Sequence, residues 1–574
     1  MDQPQSHPWA ERAAGMILGA AVGDALGWPF ERRDRTSGTP DSSAPTGRFF
    51  AWDRRATRYQ PFAEHIEAGA YSDDTQMTLA VARSITEAGD RWADWLQSVE
   101  WPFFLRYERG AGASVKRSCR SWAAGRPPWT TQRGDVVKYF QTGANGAAMR
   151  IAPHVIHLHR EPSFASVARD VLRDAITTHG HPRALLGAVL HARSLWLSMR
   201  QPAPLTYGWI VEALLDTEDD DWRSPAWQNL PLDWVDTAER VLGRTYRELW
   251  EEVVGEVEAT LKTAHDDIRV GALSNPAGFL ASMGLTTKSS RGSGTLCAVG
   301  AAYLAARSAA DPRTGLLIAA HLAEADTDTL ASMTAGILGA GLGREWLGSY
   351  AAAVQDADLL SAMSLSLRGD VSEPLVDVPA RETALPAFDR ALTETAAGII
   401  RLPDGRTATV RSRVRVHVAA RSAWRSTLIS DDGQSLYILH GESSTDTDRS
   451  DSFPMSEPRA GSVRLMGSQL RVCDLEYVTA VLKHVGLRPV SRGEGWARYG
   501  AVVLSQTTVI PAIGEHGSSA LRLTATDSHG VRHRLELRGI PCVDSGDGMF
   551  SARVDPWLEL VVAAAQDGGQ TRAS

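Results

Sequence analysis

The amino-acid sequence predicts an all-α domain over residues 9–370, a linker at 371–386 and a β-rich domain over 387–574. Three observations lead there. From Trp9 to Leu367, apolar residues recur at i, i+3 and i+4, the spacing that lines one face of a helix. Between Arg368 and Pro386 the composition changes. Beyond Pro386 the pattern alternates with period two, as in half-buried strands.

Taken in order, the helical spacing predicts helices over 73–88, 164–178, 182–199, 237–264, 295–309 and 314–323. Ala and Leu are abundant there, and Gly or Pro punctuates the gaps. Residues 32–49, rich in Ser, Thr, Pro, Gly and Asp, read as an exposed connection. Residues 217–233 carry an acidic run, Glu218 to Asp221, with Pro and Trp, and read as a surface excursion. Past the linker, Val410, Val414, Val416 and Val418 are expected on one strand face, with Arg411, Arg413, Arg415 and His417 on the other. Asp431-Asp432-Gly433 separates this region from a strand at 436–440. Residues 521–526 and 531–538, joined through Asp527-Ser528-His529-Gly530, read as a hairpin, and one helix is expected near 475–485.

Composition narrows the function classes. The 574 residues suffice for two to four domains with large cores. A formal charge of -8 argues against a polycation that coats nucleic acid non-specifically. Cys119, Cys297, Cys473 and Cys542 are scattered, without metal-type or disulfide-framework spacing, and read as reduced thiols. The N-terminus lacks a basic-then-apolar leader, and no apolar run of membrane-spanning length is free of charge, so a cytoplasmic protein with no membrane partner is expected.

Two carboxylate clusters carry the chemistry. Ser72-Asp73-Asp74-Thr75 directly precedes a helical run, where Ser72 or Asp73 suits an N-cap and acidic residues suit the helix dipole. The same oxygens suit a hard cation such as Mg²⁺ or Mn²⁺. Asp326-Thr327-Asp328-Thr329 repeats that arrangement before a second run. Two such clusters meeting across a bundle are able to hold two ions about 3.5–4 Å apart. Asp24, between Gly23 and Ala25 in an apolar helix, reads as a buried carboxylate anchoring neighbouring backbone. Asn145-Gly146-Ala147-Ala148 offers small residues and backbone N–H groups that a diphosphate can approach.

With these motifs in order, residues 9–370 resemble the ADP-ribosylglycohydrolase family. Gly19-Ala20-Ala21-Val22-Gly23-Asp24-Ala25-Leu26-Gly27-Trp28-Pro29-Phe30-Glu31 is similar to the family's N-terminal signature, with Glu31 at its active-site glutamate. Gly143-Ala144-Asn145-Gly146-Ala147-Ala148-Met149-Arg150, Thr178-His179 and Gly292-Ser293-Gly294 resemble its ligand-binding segments. The resemblance implies an all-α orthogonal helical bundle and two Mg²⁺ or Mn²⁺ ions held by Ser72, Asp73, Asp74, Asp326, Asp328 and Thr329. It implies ADP-ribose contacts from Asn145, Gly146, Ala147, Met149, His179, Gly292, Ser293 and Gly294. The implied reaction is hydrolysis of the glycosidic bond at the distal ribose through an oxocarbenium-like state. Metal-oriented water attacks, Glu31 or Asp74 manages the proton, and Asp328 is required for turnover. Glu324-Ala325 stands where the family often has Gly-Gly, bringing a carboxylate and a Cβ near the second metal motif.

Two other functions are consistent with the sequence. One is a non-catalytic ADP-ribose-binding protein on the same fold. The other is a nucleic-acid-directed de-ADP-ribosylating antitoxin, in which the basic strand face and Arg532, Arg534 and Arg538 contact the polyanion.

Overall fold

The structure is a computed structural model. It describes residues 8–31, 46–56, 62–202, 205–216, 222–224, 230–367, 381–395, 397–418 and 421–441, with strands and short segments between 463 and 564. Two compact units are present, Met1–Asp446 and Thr447–Ser574.

The first unit is a bundle of helices around one large apolar core. Its centre is the N-terminal helix Pro8–Gly27 against the helix Thr327–Leu342, which is buried along nearly its whole length. Glycine ordinarily weakens a helix by about 1 kcal/mol. Here Gly15, Gly19, Gly23 and Gly27 recur every fourth residue because the partner backbone leaves no room for a Cβ. A Cβ at Gly19 would lie 2.5 Å from the Ala335 oxygen, and one at Gly27 would lie 2.7 Å from the Asp328 Cα. The Thr327 hydroxyl closes the lower end of this contact by donating to the Gly27 carbonyl at 2.8 Å. By length and composition alone the N-terminal helix is long and apolar enough to cross a membrane, but its apolar stretch is buried in the bundle and serves as a core helix.

Helix ends follow the sequence closely. The helix Asp73–Ala88 starts and stops as its spacing predicts, capped by the Ser72 side chain. Residues 164–178, 182–199, 295–309 and 314–323 correspond to the helices Ala165–Ala175, Pro182–Arg200, Gly294–Arg307 and Pro312–Ala320. The single helix expected at 237–264 is two. Leu232–Leu242 ends at Gly243 in the left-handed region, and Tyr246–Val270 restarts with a Thr245–Glu248 capping box. Most of the expected loops at 32–49 and 217–233 lies outside the described residues, although Trp222 within the second is fully buried.

The expected linker also lies largely outside the described residues, and its end, from Arg381, begins the helix Arg381–Glu394. The four strands that follow, Gly398–Arg401, Thr407–Val418, Arg421–Ser430 and Ser435–Gly441, form an antiparallel meander within the first unit. Ile400, Leu402, Val410, Leu428, Leu436 and Ile438 join the same core as the helices. A buried ionic network joins them as well. Arg83 pairs with Glu100 at 2.8 Å and lies 3.6 Å from Asp404, and its Nη1 donates to Gln434.

The basic strand face departs from the simple alternation. A register shift between Val410 and Ser412 inserts Arg411 as an extra residue. A bulge of this kind swaps the inside and outside faces beyond it. Val410 is therefore buried while Val414 is 57% exposed, and Arg413 turns inward to stack over Trp424 and donate to the Thr393 carbonyl. The four basic residues do not form one exposed stripe, and the side chain of His417 lies outside the described residues.

In the second unit, Ser519–Ala525 pairs in parallel with Leu558–Ala564 and antiparallel with Val463–Met466; Met549–Asp555 and Cys542–Gly546 complete that sheet. A smaller sheet holds Leu470–Val472, Val502–Gln506, Trp496–Tyr499 and Ser491–Gly493. The expected hairpin is overturned, because the partner of 519–525 comes from the C-terminal strand and the described residues 532–533 and 535–536 are helical. Arg532 is paired with Glu536, one helical turn on, and with Asp544. The helix expected near 475–485 lies outside the described residues except Leu482, which is helical and buried.

Candidate functional site

The site is assembled from the ends of three helices. The N-terminal helix delivers Asp24 near its end and, after one short turn, Glu31. Asp24 is fully buried and accepts from the Ser72 backbone N–H at 2.9 Å, the Thr75 backbone N–H at 3.0 Å and the Thr75 hydroxyl at 2.7 Å. It thus plays the anchoring part expected of it, gripping the start of the Asp73 helix where donors would otherwise be orphaned. The glycine-lined contact sets Glu31 beside the start of the Thr327 helix, which carries Asp328 and Thr329.

Carboxylates from the distant sequence motifs converge here. Oxygens of Glu31, Asp326 and Asp328 lie within 4.8 Å of one another. Asp74 is buried and feels the charges of Asp24, Asp73 and Asp326, which with its burial push its carboxyl well above the usual carboxylate range. Burial, then repulsion from Glu31, Asp326 and Asp74, pushes the Asp328 carboxyl well above the usual carboxylate range. Burial, then Glu108, Asp24 and Glu31, does the same to Asp73. Asp74 Oδ2 is buried without a hydrogen-bond partner. A buried carboxylate oxygen left unpaired beside like charges is costly unless a cation balances it. The donors are all oxygens, the chemistry that Mg²⁺ or Mn²⁺ prefers, so these residues fit a divalent cation. Ser72 is fully buried, and its Oγ also accepts from the Asp74 backbone N–H at 3.4 Å.

Two loops close one side of the cluster. Asn145 donates through Nδ2 to Asp326 at 3.1 Å and to Cys297 Sγ at 3.4 Å, fixing the carboxylate's orientation. The loops bridge antiparallel at Ala144 and Ser293, with Asn145 N donating to the Gly292 carbonyl and Gly294 N to the Gly143 carbonyl, both at 2.9 Å. The expectation of approachable N–H groups on the first loop therefore fails at Asn145, because loop-to-loop pairing uses its N–H.

Behind the first loop, Arg150 is fully buried. It donates to the Gly146 carbonyl, to Thr178 and to Asp174, and stacks on Trp101. Thr178 Oγ1 lies 2.8 Å from His179 Nδ1. Burial, with Arg150 and Arg117 nearby, pushes the His179 pKa down to about 3, so the imidazole is neutral at physiological pH. His179 sits under Gly146, where an added Cβ would lie 3.2 Å from its ring.

A cavity of about 1420 Å³ opens over the cluster, lined by Glu31, Gly143, Ala144, Gly292, Ser293 and Asp326 among others. That exceeds the roughly 300–1,000 Å³ of a typical small-molecule site. Gly146, Ala147, Met149, His179 and Gly294 are buried and do not line it. Met149 instead meets the Thr329 hydroxyl, 3.9 Å from its sulfur.

The cavity also contains cations that the sequence reading missed. Lys116, Arg117 and Arg120 come from the helix Ala113–Ala123, and Lys288 and Arg291 from the loop before Gly292. For Lys116, Arg117 and Arg120 helical spacing was the available signal, but spacing alone does not say which face meets a cavity. Glu324, expected near the metal motif, points elsewhere. It adopts φ 66°, the left-handed conformation natural to glycine; its carboxylate lies 3.9 Å from Arg291, and its carbonyl accepts from the same guanidinium.

A family model described as ADP-ribosylglycohydrolase matches residues 5–376. A solved structure described as an "ADP-ribosylglycohydrolase-related protein complex" is similar at 21% identity and a TM-score of 0.35, covering 62% of this chain and 97% of its own. No curated protein matches.

Proposed function

The chain belongs to the ADP-ribosylglycohydrolase family, and from that premise we propose that it is a divalent-metal-dependent hydrolase that removes ADP-ribose by cleaving the glycosidic bond at the distal ribose. The family as a whole hydrolyses glycosyl bonds of ADP-ribosylated substrates. The observation that carries the metal-dependent reading is the convergence of Glu31, Asp74, Asp326 and Asp328, with one Asp74 oxygen buried and unpartnered.

In this reading Ser72, Asp73, Asp74, Asp326, Asp328 and Thr329 hold two Mg²⁺ or Mn²⁺ ions. When bound, such ions supply Lewis-acid charge that fixes sugar hydroxyls and makes a nearby water more acidic. Asn145 keeps Asp326 turned toward the cluster. Glu31, half-buried at the edge of the cavity, is the residue suited to moving the proton. Asp74, buried with one oxygen unpartnered, is suited to coordinating a cation. Gly292 and Ser293 offer the ligand a close backbone surface. Gly146, Ala147, Met149, His179 and Gly294 support that surface from behind. The cations Arg117, Arg120 and Lys288 favour an anionic ligand such as a diphosphate.

The test offers ADP-ribose linked to arginine, serine, nucleic acid and free small molecules, with Mg²⁺ and with chelator. Release from at least one linkage with Mg²⁺, abolished by chelator, is expected. Equal release under both conditions, or none from any linkage, overturns the proposal. The same panel decides whether the modified carrier is protein or nucleic acid.

A further inference from the structure

We propose that the strand Ser435–Gly441, with Gln434 just ahead of it, is a positioning element of the active site, and that Tyr437 is its principal positioning residue. These residues lie beyond 5–376, the span of the family match, yet inside the compact unit that holds the cluster. The inference rests on the metal-dependent reading above.

Several positions here reach the segments that carry the carboxylates, directly or through one intervening residue. Gln434 accepts from Arg83, which belongs to the Asp73 helix. Ser435 donates through its backbone N–H at 2.9 Å and its hydroxyl at 2.7 Å to Asp356, and Asp356 accepts from the hydroxyl of Tyr71, the residue before Ser72. Leu439 lines the cavity itself.

Tyr437 contacts Arg109, the residue beside Gly110. The Arg109 guanidinium lies 4.0 Å from its ring centroid, and on the other side Arg109 lies 5.3 Å from the ring of Trp28. Arg425 also lies 5.3 Å from the Tyr437 ring, and Arg54 5.1 Å from that of Trp28, so cations and aromatic faces alternate from the sheet to the end of the N-terminal helix. Glu64 pairs with both Arg54 and Arg109. Arg109 is buried, with Glu64 balancing its charge through Nε; its Nη1 has no hydrogen-bond partner, and the aromatic faces add cation–π support.

Position 109 matters because of its neighbour. Gly110 has φ +125°, and a Cβ there would lie 2.6 Å from Asp73 Oδ1, so this backbone is pressed against the carboxylate. The Arg109 backbone N–H also donates to Gln76, on the Asp73 helix. Moving the Arg109 side chain therefore moves the loop that fixes Asp73. At its other end the stack bears on Trp28, three residues before Glu31.

The test titrates Mn²⁺ into the full-length chain by calorimetry, for the native protein and for Tyr437→Ala, Tyr437→Leu and Tyr437→Phe. Loss of an outer support of a metal ligand typically weakens affinity about 10–100-fold. The Ala and Leu variants are expected to bind Mn²⁺ at least about tenfold more weakly, with kcat restored at saturating Mn²⁺. Tyr437→Phe keeps the ring and is expected to bind as the native protein does. Tyr437→Leu largely preserves volume, so a folding defect in the Ala variant does not decide the matter. Native-like Mn²⁺ affinity in Tyr437→Leu overturns the positioning role while leaving the metal reading intact. Absence of Mn²⁺ binding by the native protein overturns the metal reading and the inference with it.

Discussion

Gly23→Ala is a demanding perturbation because it adds one methyl group where two helix backbones touch. The new Cβ would lie 2.6 Å from the Ser332 nitrogen and closer still to the Ala331 carbonyl. Optimal carbon contacts are about 3.5–4.0 Å, so the helices must separate by about 1 Å. In an open helix the same change would stabilise by about 1 kcal/mol through helix propensity. Overpacking against backbone, which has no rotamer to yield, costs about 1–3 kcal/mol or more. The expected net loss is about 1–2 kcal/mol, measured by urea denaturation. Gly255→Ala supplies the control, since the helix Tyr246–Val270 leaves open space there, and about 1 kcal/mol of stabilisation is expected. Gly23 also adjoins Asp24, which holds the start of the Asp73 helix, so Mn²⁺ affinity should fall in Gly23→Ala alone. Equal stabilisation of both variants would refute the close-packed contact as the frame of the site.

Other expectations follow from the same geometry. Asp328→Ala should abolish ADP-ribose release, yet in chelator it should melt no lower than the native protein, because it removes one carboxyl from a buried cluster whose members oppose one another's ionisation; a lower melting temperature in chelator counts against that opposition. Glu324→Gly should stabilise by up to about 1 kcal/mol by relieving a left-handed residue, less the loss of its Arg291 contact, as read by thermal denaturation. A chain ending at residue 376 should fail to fold cooperatively, whereas one ending at Asp446 should unfold much as the full chain's first unit does. The shorter chain loses burial of Ile400, Leu402, Val410, Leu428, Leu436 and Ile438, on the order of 10 kcal/mol. Sharp thermal unfolding of the 376-residue chain would show that the sheet is dispensable.

Local and tertiary information divide cleanly between sequence and structure. The helix Asp73–Ala88 was legible to the residue because its Ser72 cap, acidic first turn and apolar spacing are local signals. The anchoring role of Asp24 was legible too, since an isolated carboxylate in an apolar helix must find donors. The partner of the four spaced glycines was not, because a stripe of small residues does not identify the backbone it meets. The bulge at Arg411 was invisible for a related reason: one extra residue leaves the alternation of the sequence intact while exchanging its faces. Gly243, by contrast, was a helix stop present in the sequence that the continuous apolar spacing overrode. The membership of the sheet Gly398–Gly441 in the helical unit rests on the contacts of Arg83, Asp356 and Tyr437, which are far apart in sequence.

The most direct measurement is anomalous scattering from a crystal soaked in Mn²⁺. Two peaks within coordination distance of oxygens from both Asp73-Asp74 and Asp326–Asp328 are expected, and they should vanish in Asp328→Ala or after treatment with chelator. Absence of any peak at this cluster in the native protein, with Mn²⁺ at millimolar concentration, would contradict a shared metal site built from the two motifs.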